Sequence, residues 1–428
     1  MLLARQQSVV LAGMGRVLDA DLSGAQVLLR TSDQLFAALA LIELDGVAAR
    51  IVIAPPDVKP EHLSAAIVRA AVDVVVGDDP VVACEGVRFE KVHLPAEGPA
   101  IATSRKSEWV LFTSGTTGAP KMVAHSLDGL GGAIQPGAAR DTVWGTFYDV
   151  RRYGGLQVLL RALLGQASLI LSDAGESVAD FLSRLGRHGV THLTGTPSHW
   201  RRALMSPSNA AIAPRYVRLS GEIADQAILD SLKARFPDAA IGHAYASTEA
   251  GVGFEVTDGL EGFPASFIGQ SGPVEMKIVD GVMHVRSPRA ASEYVGGGEL
   301  KEDGWINTGD MVELRGNRFH FTGRVGGIIN VGGLKINPEE VEAVINGHPG
   351  VALSRVFGRK SPITGAIVIA DVVLTDAAND NATFRQAILD ACRERLPAFK
   401  VPAMLRFVPA LELTAGGKLA RARDRGHA

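Results

Sequence analysis

The chain has 428 residues, of which 46% are hydrophobic and 21% charged, with a formal net charge of -3. That length exceeds one ordinary core, so two or more domains are expected, and the absence of a basic excess excludes nucleic acid as an expected partner. Cys84 and Cys392 lie far apart and fit no metal or redox spacing, so a reducing, cytoplasmic setting is expected. Gln6 and Gln7 interrupt the mildly apolar N-terminus, and neither membrane insertion nor secretion is expected. The 48 glycines predict many tight loops.

From Ala25 to Asp79, β-branched runs (27–29, 50–53, 72–76) alternate with helix-like stretches (34–44, 60–71), the pattern of repeated βαβ units and a parallel sheet. Ligands of such sheets sit at the carboxyl ends of strands. There the apolar run Val110 to Phe112 delivers a polar loop, Thr113 to Gly118. Gly115 and Gly118 allow backbone to approach an anion, the hydroxyls of Thr113, Ser114, Thr116 and Thr117 can bond phosphate oxygens, and Lys121 adds a point charge. The glycine spacing and Pro120 before Lys121 exclude a Walker loop; a plain surface turn is the alternative.

Residues 144–172 read as an aromatic-rich segment, a helix around QVLLRALLG and a strand ASLILS. Trp144, Phe147, Tyr148 and Tyr153 are core residues or, as a group, pocket lining. Arg152 would pair with an acidic substrate, lie on the surface or form a salt bridge to Asp149. Residues 190–200 and 218–222 each read as strand then loop. In HAYASTEAG (243–251), Tyr245 offers a flat face, Thr248 a hydroxyl and Glu249 a hard carboxylate suited to Mg2+, while a capped helix start is an equally good reading. Asp310, after a glycine in DGWINTGD, suits a loop carboxylate accepting two vicinal hydroxyls, and Arg324 in FHFTGR supplies a donor fork. Beyond Arg324 the chain changes character, with glycines, a strand and a helix starting near Pro338. Lys418 lies on a Gly-rich loop near the terminus.

The octet SGTTGAPK (114–121) resembles the signature loop of the adenylate-forming superfamily, which includes acyl-CoA synthetases, peptide-synthetase adenylation domains and luciferases. YASTE (245–249), the pair Asp310 and Arg324, and the Gly417-Lys418 run with Arg421 follow in that superfamily's order, and the likeness spans roughly residues 25 to 425. It implies an α/β fold: a large N-terminal AMP-binding domain of βαβ-layered sheets, 1–325, and a small mobile α+β C-terminal domain, 326–428. Only 112 residues precede Thr113, so a shortened N-terminal subdomain is expected.

The resemblance also implies roles. Thr113 to Gly118, Lys121, Ser220, Gly221, Glu222, Ala244, Tyr245, Asp310 and Arg324 would bind the nucleotide. Glu249 would hold Mg2+. Lys418, with Thr248 and Glu249, would serve adenylation. Gly326 would be the hinge, and Gly332 and Gly333 would border thiol access, with a β-turn as the alternative. Phe147, Arg152, Tyr153 and Trp200 would line the acyl pocket, where a common His is missing. His243 and Asn330 replace the family's usual Asn and Lys. The implied activity is ATP-dependent activation of a carboxylic acid, then transfer to coenzyme A or to a carrier-protein phosphopantetheine. A non-catalytic nucleotide-binding protein is the competing class, and oligomeric state is left open.

Overall fold

A computed structural model describes residues 1–79, 86–98, 103, 105–113, 120–137, 140–361 and 365–421. Its first sheet runs, in spatial order, Arg88–Lys91, Val74–Gly77, Gln26–Arg30, Arg50–Ile53, Glu108–Phe112 and Met122–Ser126. All neighbours are parallel except the last pair, which is antiparallel. The helices Gln34–Leu44 and Pro60–Arg69 fall where the hydrophobic pattern put them. Gln34–Leu44 is apolar on almost every side and buries nine of its eleven residues, as a helix enclosed between layers must.

A second sheet has the order Gly251–Val256, Ala240–Ser247, Tyr216–Ser220, His192–Gly195, Val143–Thr146, Ser168–Ile170, Leu2–Leu3 and Ser8–Val9, parallel through its centre. Helices 34–44 and 153–164 lie between the two sheets within one hydrophobic cluster that includes Val27, Leu39, Trp109, Leu156 and Leu169. Helices Val178–Arg187, Pro197–Met205 and Gln226–Arg235 cover the far face of the second sheet around Leu193, Trp200, Val217 and Leu219. A third, antiparallel sheet holds Ile306–Arg315 beside Arg318–Arg324.

The remainder builds its own core, from Ile329 to Leu405, out of the helices Pro338–Asn346 and Ala382–Arg395 and the strands Val351–Ser361, Gly365–Leu374 and Met404–Phe407. Each hydrophobic cluster among the described residues lies wholly on one side of residues 322–328. The molecule is thus a mixed α/β fold with a large N-terminal part and a smaller C-terminal one. No helix among the described residues is long and apolar enough to cross a membrane.

Three local expectations are corrected. The stretch after Thr196 is a helix: Thr196 caps it by accepting from His199 N–H, and Pro197 occupies the first turn. Residues 248–250 form a turn between antiparallel strands, closed by Ala250 N–H donating to Ser247 Oγ at 2.9 Å, so the capped-helix alternative fails. Asp310 sits within a ten-residue strand opposite Arg324, not on a loop.

Candidate active site

The first sheet delivers Thr113, 6% exposed, directly after the strand Glu108–Phe112. Thr113 N–H donates to the Lys121 carbonyl at 2.8 Å, which closes the neck of the glycine-rich loop. Ser114, Gly115, Thr116, Thr117 and Gly118 lie outside the described residues. Lys121 Nζ stands 4.5 Å over the Tyr294 ring. His125, buried on the returning strand, places its Nε2 at 2.8 Å from the Thr248 carbonyl and so ties this sheet to the YASTE turn. Burial drives its pKa down to about 4, so a neutral imidazole donates there.

Opposite the turn, Asp310 accepts from Arg324 Nε at 2.7 Å and from Tyr245 Oη at 2.8 Å, one contact on each carboxylate oxygen. Strand register sets the first contact, because Asp310 and Arg324 are cross-strand partners. Burial first, and the Asp310 charge second, push the Tyr245 phenol well above its ordinary range, which fixes it as a donor. The Tyr245 ring stacks with Phe254 and Phe321 at 5.6 and 5.5 Å between centroids. Each carboxylate oxygen of Asp310 keeps a further lone pair for an incoming hydroxyl.

The strand Tyr216–Ser220 ends at Gly221, whose φ of +87° is the left-handed region that glycine takes without strain. A Cβ on Gly221 would stand 3.4 Å from Lys418 Cε. Glu222 spans both parts of the molecule: one oxygen accepts from Ser198 N–H at 2.9 Å and the other from Leu419 N–H at 2.6 Å. Thr196 Oγ1 donates to the Gly417 carbonyl at 2.6 Å. The terminal loop is therefore docked with the Lys418 side chain inside the site. Burial chiefly, then Arg324, lowers its pKa, while Glu222, Asp310 and Glu249 oppose that effect. Arg421 bonds Glu342 at 2.9 Å and Glu339 at 3.0 Å and holds the loop to the helix Pro338–Asn346.

Thr248 and Glu249 share the turn that faces this loop, and the Glu249 carboxylate has no hydrogen-bond or ion-pair partner among the described residues. No cluster of three or more metal-binding side chains occurs among the described residues. Ala244 is 8% exposed and in register with Ser220. Gly326 lies in the short turn Val325–Gly327 without a left-handed φ, so this orientation makes no special demand for glycine there. Gly332 and Gly333, with φ of 59° and 89°, form the two-residue exposed tip of the hairpin Ile329–Val331 and Leu334–Ile336, the geometry of a type I′ turn.

The four acyl-pocket candidates do not gather on one surface. Tyr153 opens the helix between the sheets. Phe147 and Trp200, 5.9 Å apart, pack on the opposite face of the second sheet. Trp200 is 0% exposed because its helix faces that core. Arg152 pairs with Asp57; it is the adjacent Arg151 that binds Asp149, at 2.7 Å, so the expected Arg152–Asp149 bridge is replaced. Sequence reading missed Thr196, His199 and His125. The Thr-Pro-x-His run was a legible helix start, but only the fold brings Gly417 onto the His199 ring.

The family described as "AMP-binding enzyme" matches residues 22–299, and "AMP-binding enzyme C-terminal domain" matches 340–418. The chain is 27% identical to 2-succinylbenzoate–CoA ligase of Listeria innocua, over 73% of this chain and 68% of that one. It is 28% identical to feruloyl-CoA synthase of Amycolatopsis sp, over 74% and 69%. The crystal structure of the anthranilate CoA ligase AuaEII in complex with anthranoyl-AMP shares the fold, with a TM-score of 0.76 at 20% identity over 93% of this chain and 86% of that one. Motif order, layered architecture and the two matched regions lead to one conclusion: the chain belongs to the AMP-binding enzyme family, the adenylate-forming enzymes.

Proposed function

We propose that the chain is an AMP-forming acyl-CoA ligase. A substrate carboxylate oxygen attacks the α-phosphorus of ATP, and the bond to the bridging oxygen breaks to give acyl-adenylate and pyrophosphate. The thiol of coenzyme A then attacks the acyl carbonyl, AMP leaves and a thioester forms. The observation that carries the reading is Lys418, from the smaller part of the molecule, inserted beside Glu222, Asp310, Arg324 and Glu249 of the larger. In this reading Asp310 accepts the ribose hydroxyls, Arg324 orients Asp310, and Ser220, Gly221, Glu222, Ala244 and Tyr245 frame the base. The loop 113–118 and Lys121 hold phosphates, and Lys418 offsets charge developing at the α-phosphate.

The unpartnered Glu249 carboxylate suits Mg2+, which takes one or two protein carboxylates and completes its shell with phosphates and waters. The ion would supply charge neutralisation on the phosphates. Glu249→Gln should fold normally yet lose about two orders of magnitude in Mg2+-dependent turnover, the scale of several kcal/mol of metal stabilisation. Unchanged turnover and Mg2+ dependence in the variant would remove Glu249 from that role.

For the second half-reaction the smaller part, 326–428, would rotate about Gly326 and bring Gly332 and Gly333 toward the thiol path. Support comes from hydrophobic clusters that stop short of residues 322–328 on both sides, as expected of units that move separately. The names of the relatives supply succinylbenzoate and ferulate as the first acids to try, and the reading places the enzyme in the cytoplasm. Pyrophosphate release across a panel of carboxylic acids, followed by coenzyme A against carrier protein as acceptor, tests it. No release with any acid in the presence of ATP and Mg2+ would overturn it.

A further inference from the structure

The face of the second sheet turned toward the first is polar in an unusual way. Strand register puts Trp144, His192, Tyr216 and Ala240 in one row and Thr194, Arg218 and Gly242 in the next. Ser220, at the top of the same strand face, adjoins the Lys418 site. Arg218 lies two residues below Ser220, roughly 7 Å deeper at about 3.3 Å per residue. The helix Tyr153–Leu164 descends beside this face from Tyr153, and Arg161 lies eight residues along it, roughly 12 Å down at 1.5 Å per residue. The two guanidinium groups are close enough to one another that each acts on the same two neighbours, Tyr153 and Tyr216.

Charge there is unbalanced. Both arginines are half-buried, and neither side chain has a hydrogen-bond or ion-pair partner among the described residues. The carboxylate within reach, Glu255, is engaged by the Tyr216 hydroxyl. The indole N–H of Trp144, 7% exposed, has no acceptor among the described residues either, although the ring lies 6.2 Å from that of Tyr216. Burial first, then Arg218, pulls the Arg161 pKa down to about 10. Two arginines against the one carboxylate of Glu255, with an orphaned donor beside them, are costly to withdraw from water unless a second negative group joins them. The space over Gly242, beside Arg218 in register, is taken by Glu255: a Cβ on Gly242 would stand 2.8 Å from Glu255 Oε1.

We infer that Arg161 and Arg218 form the far end of the acyl pocket and bind a second carboxylate, so that the enzyme activates dicarboxylic acids. This rests on the acid-activating function proposed above and specifies its substrate class. One carboxyl group reaches the adenylation site near Gly221, and the other, roughly 7 to 12 Å deeper by the same strand and helix rises, meets the two guanidinium groups. A neutral acid would leave them unpaired and be disfavoured.

The test measures pyrophosphate release by the full-length enzyme on matched acids. Adipic, suberic and succinylbenzoic acids are each compared with the monomethyl ester of the distal carboxyl and with the monoacid bearing a methyl group in its place. At least one diacid should exceed its neutral partners in kcat/KM on the order of 100-fold. That ratio should fall toward one in Arg161→Met and Arg218→Met and be partly kept in Arg161→Lys. If the Met variants fail to fold, by circular dichroism, the wild-type ratio alone decides. Neutral acids activated as well as every diacid would overturn the inference and leave the ligase function standing. No pyrophosphate from any acid, charged or neutral, would overturn that function and this inference with it.

Discussion

Lys418→Ala should lower acyl-adenylate formation about 100- to 1,000-fold, the usual cost of deleting one preorganised partner of transition-state charge. In the proposed reaction the carboxylate and the triphosphate, both anions, would meet where the ammonium of Lys418 is brought in from the other part of the molecule, beside Glu222, Asp310 and Glu249. Its loop is exposed at Thr414 and Ala415, buried at Gly417 and part-buried from Lys418 to Ala420, and is held by short polar contacts, Thr196 to Gly417 and Glu222 to Leu419. Truncating the side chain should therefore leave the fold unchanged. Thioester formation from supplied acyl-adenylate should persist, because that step does not use the charge. Pyrophosphate release and thioester formation, assayed separately, check this; equal loss of both would show that Lys418 does not serve adenylation.

Gly417→Ala should impair the same half-reaction without touching any charge. Gly417 has φ of +75°, and a Cβ there would lie 1.8 Å from His199 Cε1 and 2.5 Å from Nε2. The ring cannot step aside easily: it stacks on Phe147 at 5.3 Å and contacts the helix cap through Nδ1, 3.2 Å from Thr196 N. Left-handed φ alone costs an alanine roughly 1–2 kcal/mol, and the overlap adds to it, so the loop should fail to dock. Adenylation should drop by about 100-fold, more than the roughly tenfold that 1.4 kcal/mol of φ strain would give. Adding His199→Ala should recover part of the loss, a coupling expected only of residues in contact. Additive losses in the double variant would argue that Gly417 does not dock on His199.

How much of this was legible in the residues depends on the range of the interaction. Helix 34–44 and the strand 50–53 follow from local periodicity and match the structure residue for residue. The ribose-site candidates were named from motif order, yet the reason Asp310 and Arg324 meet is strand register, and Asp310 was expected on a loop because Gly309 precedes it. The turn at 248–250 was ambiguous because Ser, Thr and Glu serve a helix start and a tight turn alike; pairing of 240–247 with 251–256 decides it. Arg152 and Arg151 could not be told apart by sequence, since the choice between Asp149 and Asp57 depends on how a distant segment packs. His125, Thr196, His199 and the Arg161 and Arg218 pair act across 57 to 221 residues of chain, beyond any local pattern.

The seam between the larger and smaller parts is built from hydrogen bonds. Thr196 with Gly417, Glu222 with Leu419, Arg201 with Ala352, Asp225 with Asn346 and Arg202 with Leu411 cross it, and no hydrophobic cluster among the described residues does. Heat capacity follows apolar surface, rising by about 0.45 cal/K/mol for each Å² exposed and falling with polar exposure. A swing that parts these contacts and offers them to water should leave the heat capacity of the protein almost unchanged. The balance between docked and undocked orientations would then follow a straight van't Hoff line, so warming or cooling the enzyme would tilt it steadily, with no temperature of maximum docking of the kind that a greasy hinge would impose.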